Sequence, residues 1–379
     1  MQLFNNIKID WLGKRKIFYL VSTVLFLIGV LNVIFKGFHF GIDFKGGTEI
    51  VLQYDKPIEI SHIRQLVENV DLGNLEVKTF GGETGVLLRT DFQNLPAKIF
   101  PIVVANIEKQ IDLFYPGLPR KIVDSTVSSI TYELPNHDTT TALISKLFNA
   151  GFQAGKVSES LDNKQMVVNV SISEWLKENL RGKIAGNNFK IIKEDHVGPK
   201  VGKELKQDAM IAVFFSLIAI LVYLAFRFKF IFAFGAVLAL FHDVLITLGL
   251  YAALYGIIPG LNLEIDLTVV AAFLTLVGYS VNDTVIVFDR VRENLKIHKT
   301  MPLIDVLNMS VNRTMSRTIL TGGTTLLTTL VLLIFGGEVL RSFAFTLFFG
   351  IIIGTYSSIF VASPLVLEYT LRKKKKIQF

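Results

Sequence analysis

The chain has 379 residues, of which 51% are hydrophobic and 19% charged, with a net charge of +7 and no cysteine. Composition this apolar excludes an ordinary soluble enzyme, while the charged fraction excludes a chain made only of membrane spans, so spans must combine with a water-exposed domain. A disulfide, a thiolate nucleophile and a cysteine-ligated metal are excluded outright.

The positive charge does not point to nucleic acid. It gathers beside apolar runs, at Lys14, Arg15 and Lys16, at Arg227 and Lys229, and at Arg372 to Lys376, which is how cytoplasmic membrane edges are marked. Residues 1–16 read as a cytoplasmic N-terminus and 17–35 as a first transmembrane helix. The run is longer than a signal-peptide core and no small-x-small cleavage pattern follows it, so it is expected to be a retained anchor. Positive residues before it export what comes next.

That exported segment, 36–208, opens with Gly41, Gly46 and Gly47 and continues as an alternating strand. Glycine permits the positive φ of tight turns, whereas no P-loop lysine or dinucleotide fingerprint accompanies the pair. Two successive units follow with one order of elements. The first reads strand 48–54, helix 61–70, strands 75–80 and 85–89, helix 95–111 and strand 121–127. The second reads strand 130–134, helix 139–150, strands 154–161 and 165–170, helix 174–185 and strand 189–196. Each is compatible with a split β-α-β fold, so a duplicated ferredoxin-like α+β domain is expected, divided at 48–128 and 129–197. His62, His137 and His196 are isolated and suggest no metal site. Gly198, Pro199 and Gly202 then form a rigid turn with permissive neighbours, a hinge candidate or an ordinary linker.

Five more apolar runs, 209–226, 230–256, 267–288, 318–335 and 343–368, make a five-helix domain over 209–368. With the anchor there are six spans, which return the basic tail 369–379 to the cytoplasm. The basic turns after the second and fourth spans fall on that side too, and the loop 261–266 has acids but no lysine or arginine, so the charge rule is satisfied throughout.

Asp283 lies within the fourth span, six residues before Asp289, hence roughly 9 Å deeper along a helix. A charged side chain there costs roughly 2.5 kcal/mol or more and marks a functional candidate facing other helices or water. Ser280 is one turn away on the same face, Asn282 adjoins it, and Gly278 is expected to admit a neighbouring backbone. A headgroup-level or purely structural Asp283 is the alternative. His242 and Asp243 are adjacent mid-span in the third run and need partners, structural or transport-related. In the fifth span Arg317 heads a row of Thr321, Thr324 and Thr328. Such hydroxyls either line a wet path or bond their own helix. An approach of Arg317 to Asp283 would oppose burial in setting proton affinity, as a proton-coupled machine requires.

Three motifs together resemble one family. They are Phe40-Gly41-Ile42-Asp43-Phe44-Lys45-Gly46-Gly47-Thr48, Val197-Gly198-Pro199-Lys200-Val201-Gly202, and the stretch from Gly278-Tyr279-Ser280-Val281-Asn282-Asp283-Thr284 through Asp289-Arg290-Val291-Arg292-Glu293-Asn294. The family is SecF, the smaller membrane subunits of the bacterial SecD/SecF protein-export accessory complex, in the resistance-nodulation-division superfamily. The resemblance implies a non-enzymatic subunit in the bacterial inner membrane that uses the proton-motive force, with no other cofactor, to promote preprotein export through SecYEG. It implies a separate SecD partner, YajC and YidC as further associates, unfolded preprotein as client and the lipid bilayer as setting. The family's proton-linked aspartate and arginine match Asp283 and Arg317, and Asp243 joins them as a relay candidate. The doubled exported domain departs from the family's usual single unit.

Two other readings remain at this point. A superfamily permease subunit for lipids or drugs shares the carboxylate, but not the glycine-rich and Val-Gly-Pro motifs. An intramembrane aspartyl protease would pair Asp243 with Asp283, an arrangement that a neighbouring arginine would spoil.

Overall fold

The computed structural model describes residues 8–373 apart from 69, 74, 159, 161, 185, 259 and 260 and the side chain at 338. The lysines of the tail beyond Lys373, the first seven residues, and the predicted element ends at 161 and 185 lie outside the described residues. Two compact units emerge, one from Phe44–Lys203 and one from Met1–Asp43 with Glu204–Phe379.

In the first unit the elements are β1 (Gly47–Tyr54), α3 (Ile60–Val67), β2 (Glu76–Thr79), β3 (Gly85–Thr90), α4 (Phe100–Phe114), β4 (Lys121–Ser125), β5 (Ser129–Glu133), α5 (His137–Ala150), β6 (Gln153–Lys156), β7 (Gln165–Asn169), α6 (Ile172–Leu180) and β8 (Phe189–Val197). Every expected strand and helix is present, but the closing strands are exchanged. One antiparallel sheet has the order β2-β3-β1-β8 and the other β4-β5-β7-β6. The division at 128/129 therefore does not separate two sheets: β4 joins the second sheet as an edge, and β8, from the end of the segment, closes the first beside β1. Both orders remain compatible with ferredoxin-like units.

The physical reason lies in burial. β1 is buried along almost its whole length and pairs on both sides, with Val51 opposite Leu87 and Lys193, whereas β4 is exposed throughout. A central strand needs two neighbours, and an exposed five-residue strand suits only an edge. A single apolar core runs through both halves, from Ile50 and Leu88 to Tyr132 and Met166. Helices meet between the sheets, where the Trp175 indole donates to the Val70 carbonyl at 3.0 Å. The doubled domain is thus one body.

The glycine pair has a clear cause. Gly46 and Gly47 have φ of +78° and +110°, and a Cβ on Gly47 would run into the Thr90 carbonyl. A Cβ on Gly46 would stand 3.1 Å from both the Val197 carbonyl and Pro199 Cα. No other residue type combines that backbone with such close approach.

Among the described residues six helices are long and apolar enough to cross a membrane. They comprise α1 (Arg15–Lys36), α7 (Pro199–Arg227), α8 (Phe230–Leu254), α9 (Leu267–Ile297), α10 (Leu303–Phe335), and a sixth made of α11 (Gly337–Ser357), a π-helical turn (Ser358–Ala362) and α12 (Ser363–Lys373). The short α2 (Ile42–Lys45) lies on the boundary between the units. Helices outrun the apolar stretches that announced them, because apolarity reports the lipid-buried length and not the helix ends. The flank of α9 continues as helix with an Arg290–Glu293 pair at 2.6 Å. Likewise, α7 begins at Pro199, where a missing N–H costs nothing. Gly198 is then the single residue between β8 and α7, and Gly202 lies in the first turn, donating its N–H to the Gly198 carbonyl at 2.8 Å.

Small residues set the helix packing. Gly29 of α1 meets Gly249 of α8 backbone to backbone, a Cβ on the former falling 3.0 Å from the latter's Cα. Gly350 and Gly354 of α11 receive Leu276 and Ser280 of α9, both pairs one turn apart. Such small-xxx-small faces allow dispersion contacts that a bilayer does not otherwise reward. Gly278, expected to serve in this way, has nothing within 4 Å of a Cβ. It faces outward, and the close approach is made by the glycines of α11 instead.

Candidate functional site

The glycine-rich motif that precedes the first unit also anchors the membrane helix carrying Asp283. Gly41 N–H donates to the Ile265 carbonyl at 2.9 Å, and Ile265 N–H donates to the His39 carbonyl at 2.8 Å. The Asp43 carboxylate then accepts the Leu267 N–H at 2.9 Å, and Asp266 caps the same helix through Val269 N–H at 2.7 Å. Two carboxylates at an N-terminus satisfy orphan donors and oppose the helix dipole. Burial raises the Asp266 carboxyl above its ordinary value despite that cap, and the nearby Asp43 adds to the rise. The capping role of Asp43 was not visible in the sequence.

Within the bundle, Asp243 and Asp283 are 1% and 2% exposed. They stand on facing helices, linked through Ser280. The Ser280 hydroxyl, one turn before Asp283, donates to Asp243 Oδ2 at 2.7 Å, and the Ser357 hydroxyl donates to the same oxygen at 2.8 Å. His242 Nδ1 lies 3.0 Å from Asp243 Oδ1. Asp283 receives far less, a single bond from the Thr355 hydroxyl to Oδ2 at 3.4 Å. Residues 354–357 of α11 thus reach both acids, with Gly354 allowing α9 to come close enough for the Ser280 bond. No hydrogen bond joins the two carboxylates among the described residues, so the shared-proton dyad of an aspartyl protease is not formed.

Arg317, the predicted partner of Asp283, acts on it through charge without touching it. Arg317 is exposed and lines a groove of about 710 Å³ with Arg290, Arg292, Lys296 and Arg313. It closes no ion pair on Asp283. The threonine row bonds its own helix: Thr321 to the Arg317 carbonyl at 2.9 Å, Thr324 to Leu320 at 3.0 Å and Thr328 to Thr324 at 3.0 Å. Those hydroxyls are satisfied without a wet path. Asn282 is exposed beside Asp283, as are Thr324 and Thr328 on α10.

His242 extends the network to α1. Its Nε2 lies 3.1 Å from the Ser22 hydroxyl, which lies 2.9 Å from the Tyr356 hydroxyl, which donates to the Phe18 carbonyl at 2.7 Å. Ser22, Thr355, Tyr356 and Ser357 were not singled out from the sequence. The available signal was a polar cluster, Thr355 to Ser358, inside an otherwise apolar run. In the structure it adjoins a π-helical turn, a distortion that recurs at functional sites.

Comparison with known proteins covers nearly the whole chain. Residues 177–372 match the family described as protein export membrane protein SecD/SecF, C-terminal, and residues 33–58 match the SecD/SecF GG motif. Protein translocase subunit SecF of Rhodothermus marinus is 37% identical over 372 residues, 98% of this chain and 96% of its own. The corresponding subunit of Calditerrivibrio nitroreducens is 37% identical over 377 residues, 98% of this chain and 97% of its own. Among solved structures, a SecDF of Thermus thermophilus, described as a translocon-associated membrane protein, aligns with TM-score 0.64 and 29% identity over 97% of this chain. A SecDF in a super-membrane-facing form aligns with TM-score 0.58 and 28% identity over 99%. The chain spans only 39% and 40% of those two longer proteins.

Proposed function

Because this chain belongs to the SecF family of protein-export membrane proteins, we propose that it drives preprotein export through SecYEG by taking protons from the membrane gradient at Asp283. It is a multi-pass membrane protein with the accessory role in Sec translocation that its family carries. The observation that carries the proton reading is the contrast in partners. Asp283 is buried like Asp243, yet among the described residues one long hydrogen bond is all it receives. An intramembrane carboxylate so sparsely held gains from binding a proton and loses little when a conformational change supplies it with a cation.

Arg317 is the cation this reading assigns. It becomes a partner of Asp283 only after α9 and α10 shift, and the alternation between separated and paired arrangements is the coupling step. Protonation at Asp283 relays to the exported unit through the glycine-rich motif, which ties Asp43 to the start of α9, and through the single residue Gly198 between β8 and α7. Gly198 is the hinge in this scheme, with Pro199 and Gly202 fixing the helix after it.

A separate SecD chain is the expected partner in the membrane. Asn282, Thr324 and Arg317 are exposed on α9 and α10, and polar groups at that depth are costly against lipid. The SecDF proteins, more than twice as long, offer a second half for such a face. YajC, YidC and unfolded preprotein complete the assembly in this reading. Both termini lie in the cytoplasm and the Phe44–Lys203 unit outside, following the basic flanks.

The test is preprotein export, with and without a proton gradient, in cells depleted of the native subunit and supplied with this chain, its SecD partner and either Asp283 or Asp283→Asn. The substitution keeps shape and one acceptor but cannot titrate. Loss of the gradient-dependent part, with the complex still assembled, is the expected result. Unchanged export would make the carboxylate structural.

A further inference from the structure

Proton counting around His242 leads beyond the proton reading of Asp283. A hydroxyl has one proton to give, a carbonyl has none, and a buried donor left without an acceptor is costly. The chain from His242 ends at the Phe18 carbonyl, which only accepts. Tyr356 gives its proton there. Ser22 must then donate to Tyr356, because the tyrosine has no second proton, and Ser22 in turn has nothing left for His242. The bond of 3.1 Å between Ser22 and His242 Nε2 requires the ring to be the donor. Every bond in the chain is thereby directed from His242 toward α1.

The other end is equally constrained. Asp243 Oδ2 accepts from Ser280, whose hydroxyl has no other acceptor among the described residues, and lies 2.8 Å from the Ser357 hydroxyl, which also reaches the Gly354 carbonyl at 3.1 Å. Only Oδ1 faces the ring, at 3.0 Å from Nδ1. Two bare acceptors do not hold at that distance, and two donors would clash.

We infer that His242 and Asp243 hold one shared proton between Nδ1 and Oδ1 as a net-neutral pair, locked by the Ser22–Tyr356–Phe18 chain that commits the Nε2–H of the ring. The proton shifts from Oδ1 to Nδ1 or back without leaving, giving aspartic acid with neutral imidazole or carboxylate with imidazolium. Losing it would leave a bare carboxylate in the span, and gaining another would set donor against donor. The pair therefore keeps its proton through neutrality and fastens α1, α8, α9 and α11 at one level. Asp243 is a positioning residue, acting on Asp283 through Ser280, and not a second exchanging acid.

Titratable side chains stand on each helix packed on α8. They are Asp283 and Tyr279 on α9, Tyr356 on α11, Tyr19 on α1, and Glu368 on α12, the last already paired with Arg15 at 2.9 Å. None of the bonds described above joins Asp283 to the pair directly, so the two sites are separable by experiment.

The test is nitrogen NMR of the full chain in lipid nanodiscs with 15N-labelled histidine, the His242 resonances being identified by their loss in His242→Gln. Expected is an Nε2 that carries its proton and an Nδ1 that shares one with Asp243. An unprotonated Nε2, the opposite tautomer over an ionised Asp243, would overturn the inference. Tyr356→Phe keeps the ring packed edge-on against Phe18 and tilted against Phe360 and removes only the hydroxyl. It should free Ser22 to donate to Nε2, which then gives up its proton, so that the ring reverses its tautomer. An unchanged spectrum would overturn the chain as the lock. Should the tyrosine variant not assemble, Ser22→Ala removes the acceptor of Nε2–H itself and should shift the Nε2 resonance by loss of that bond. Neither spectrum depends on export, so failure here and failure of the Asp283 reading are distinguishable.

Discussion

Asp243 and Asp283 are equally buried, face the same segment of α11 and are joined through one serine, yet they are held in opposite ways. Three contacts of 2.7 to 3.0 Å surround Asp243, and one of 3.4 Å reaches Asp283. Burial by itself therefore says little about which intramembrane acid exchanges protons. What separates them is hydrogen-bond supply: a fully supplied carboxylate is fixed in one state and can fasten helices, while a sparsely supplied one remains free to change state.

The contrast can be broken from the saturated side first. Asp243→Leu orphans the Ser280 hydroxyl and His242 Nδ1, while Ser357 keeps the Gly354 carbonyl, and should destabilise the bundle by about 2–5 kcal/mol. The measurement is the fraction of folded, monodisperse protein recovered in detergent, and full recovery would contradict the fastening role. Gly354→Val keeps both acids but forces Ser280 away, since a Cβ there would stand 2.9 Å from its hydroxyl oxygen. A loss of about 1–3 kcal/mol is expected from such overpacking, read as a lower unfolding midpoint. Thr355→Val removes the one bond to Asp283. Its cost should stay within about 1 kcal/mol, with the complex assembled, because the bond is long.

Much of this was legible in the sequence. Apolar runs and their basic flanks gave six spans, and turn glycines with alternating strands gave the α+β segment, because lipid and pleat impose simple periods. Asp283, Asp243, His242 and Ser280 stood out as polar groups where polarity is costly. Less legible was anything set by pairing across distance. The exchange of β4 and β8 depends on which strand can be buried on both sides, which an order of elements does not encode. Arg317 was a natural partner for Asp283 by charge; it lines the groove of α9 and α10, and its charge reaches Asp283 without closing an ion pair. Thr355 and Ser357 were hidden because a hydroxyl in an apolar helix usually satisfies itself, and only the Gly350 and Gly354 contacts bring theirs to the acids.

The most direct test of the comparison is infrared difference spectroscopy of the full chain in lipid nanodiscs as the buffer is moved from mildly acidic to mildly basic, following the carboxylic acid carbonyl band. The account predicts a band that disappears in Asp283→Asn and persists in Asp243→Asn, because only Asp283 exchanges its proton over that range. A band that survives Asp283→Asn and is lost in Asp243→Asn would reverse the assignment and contradict the account.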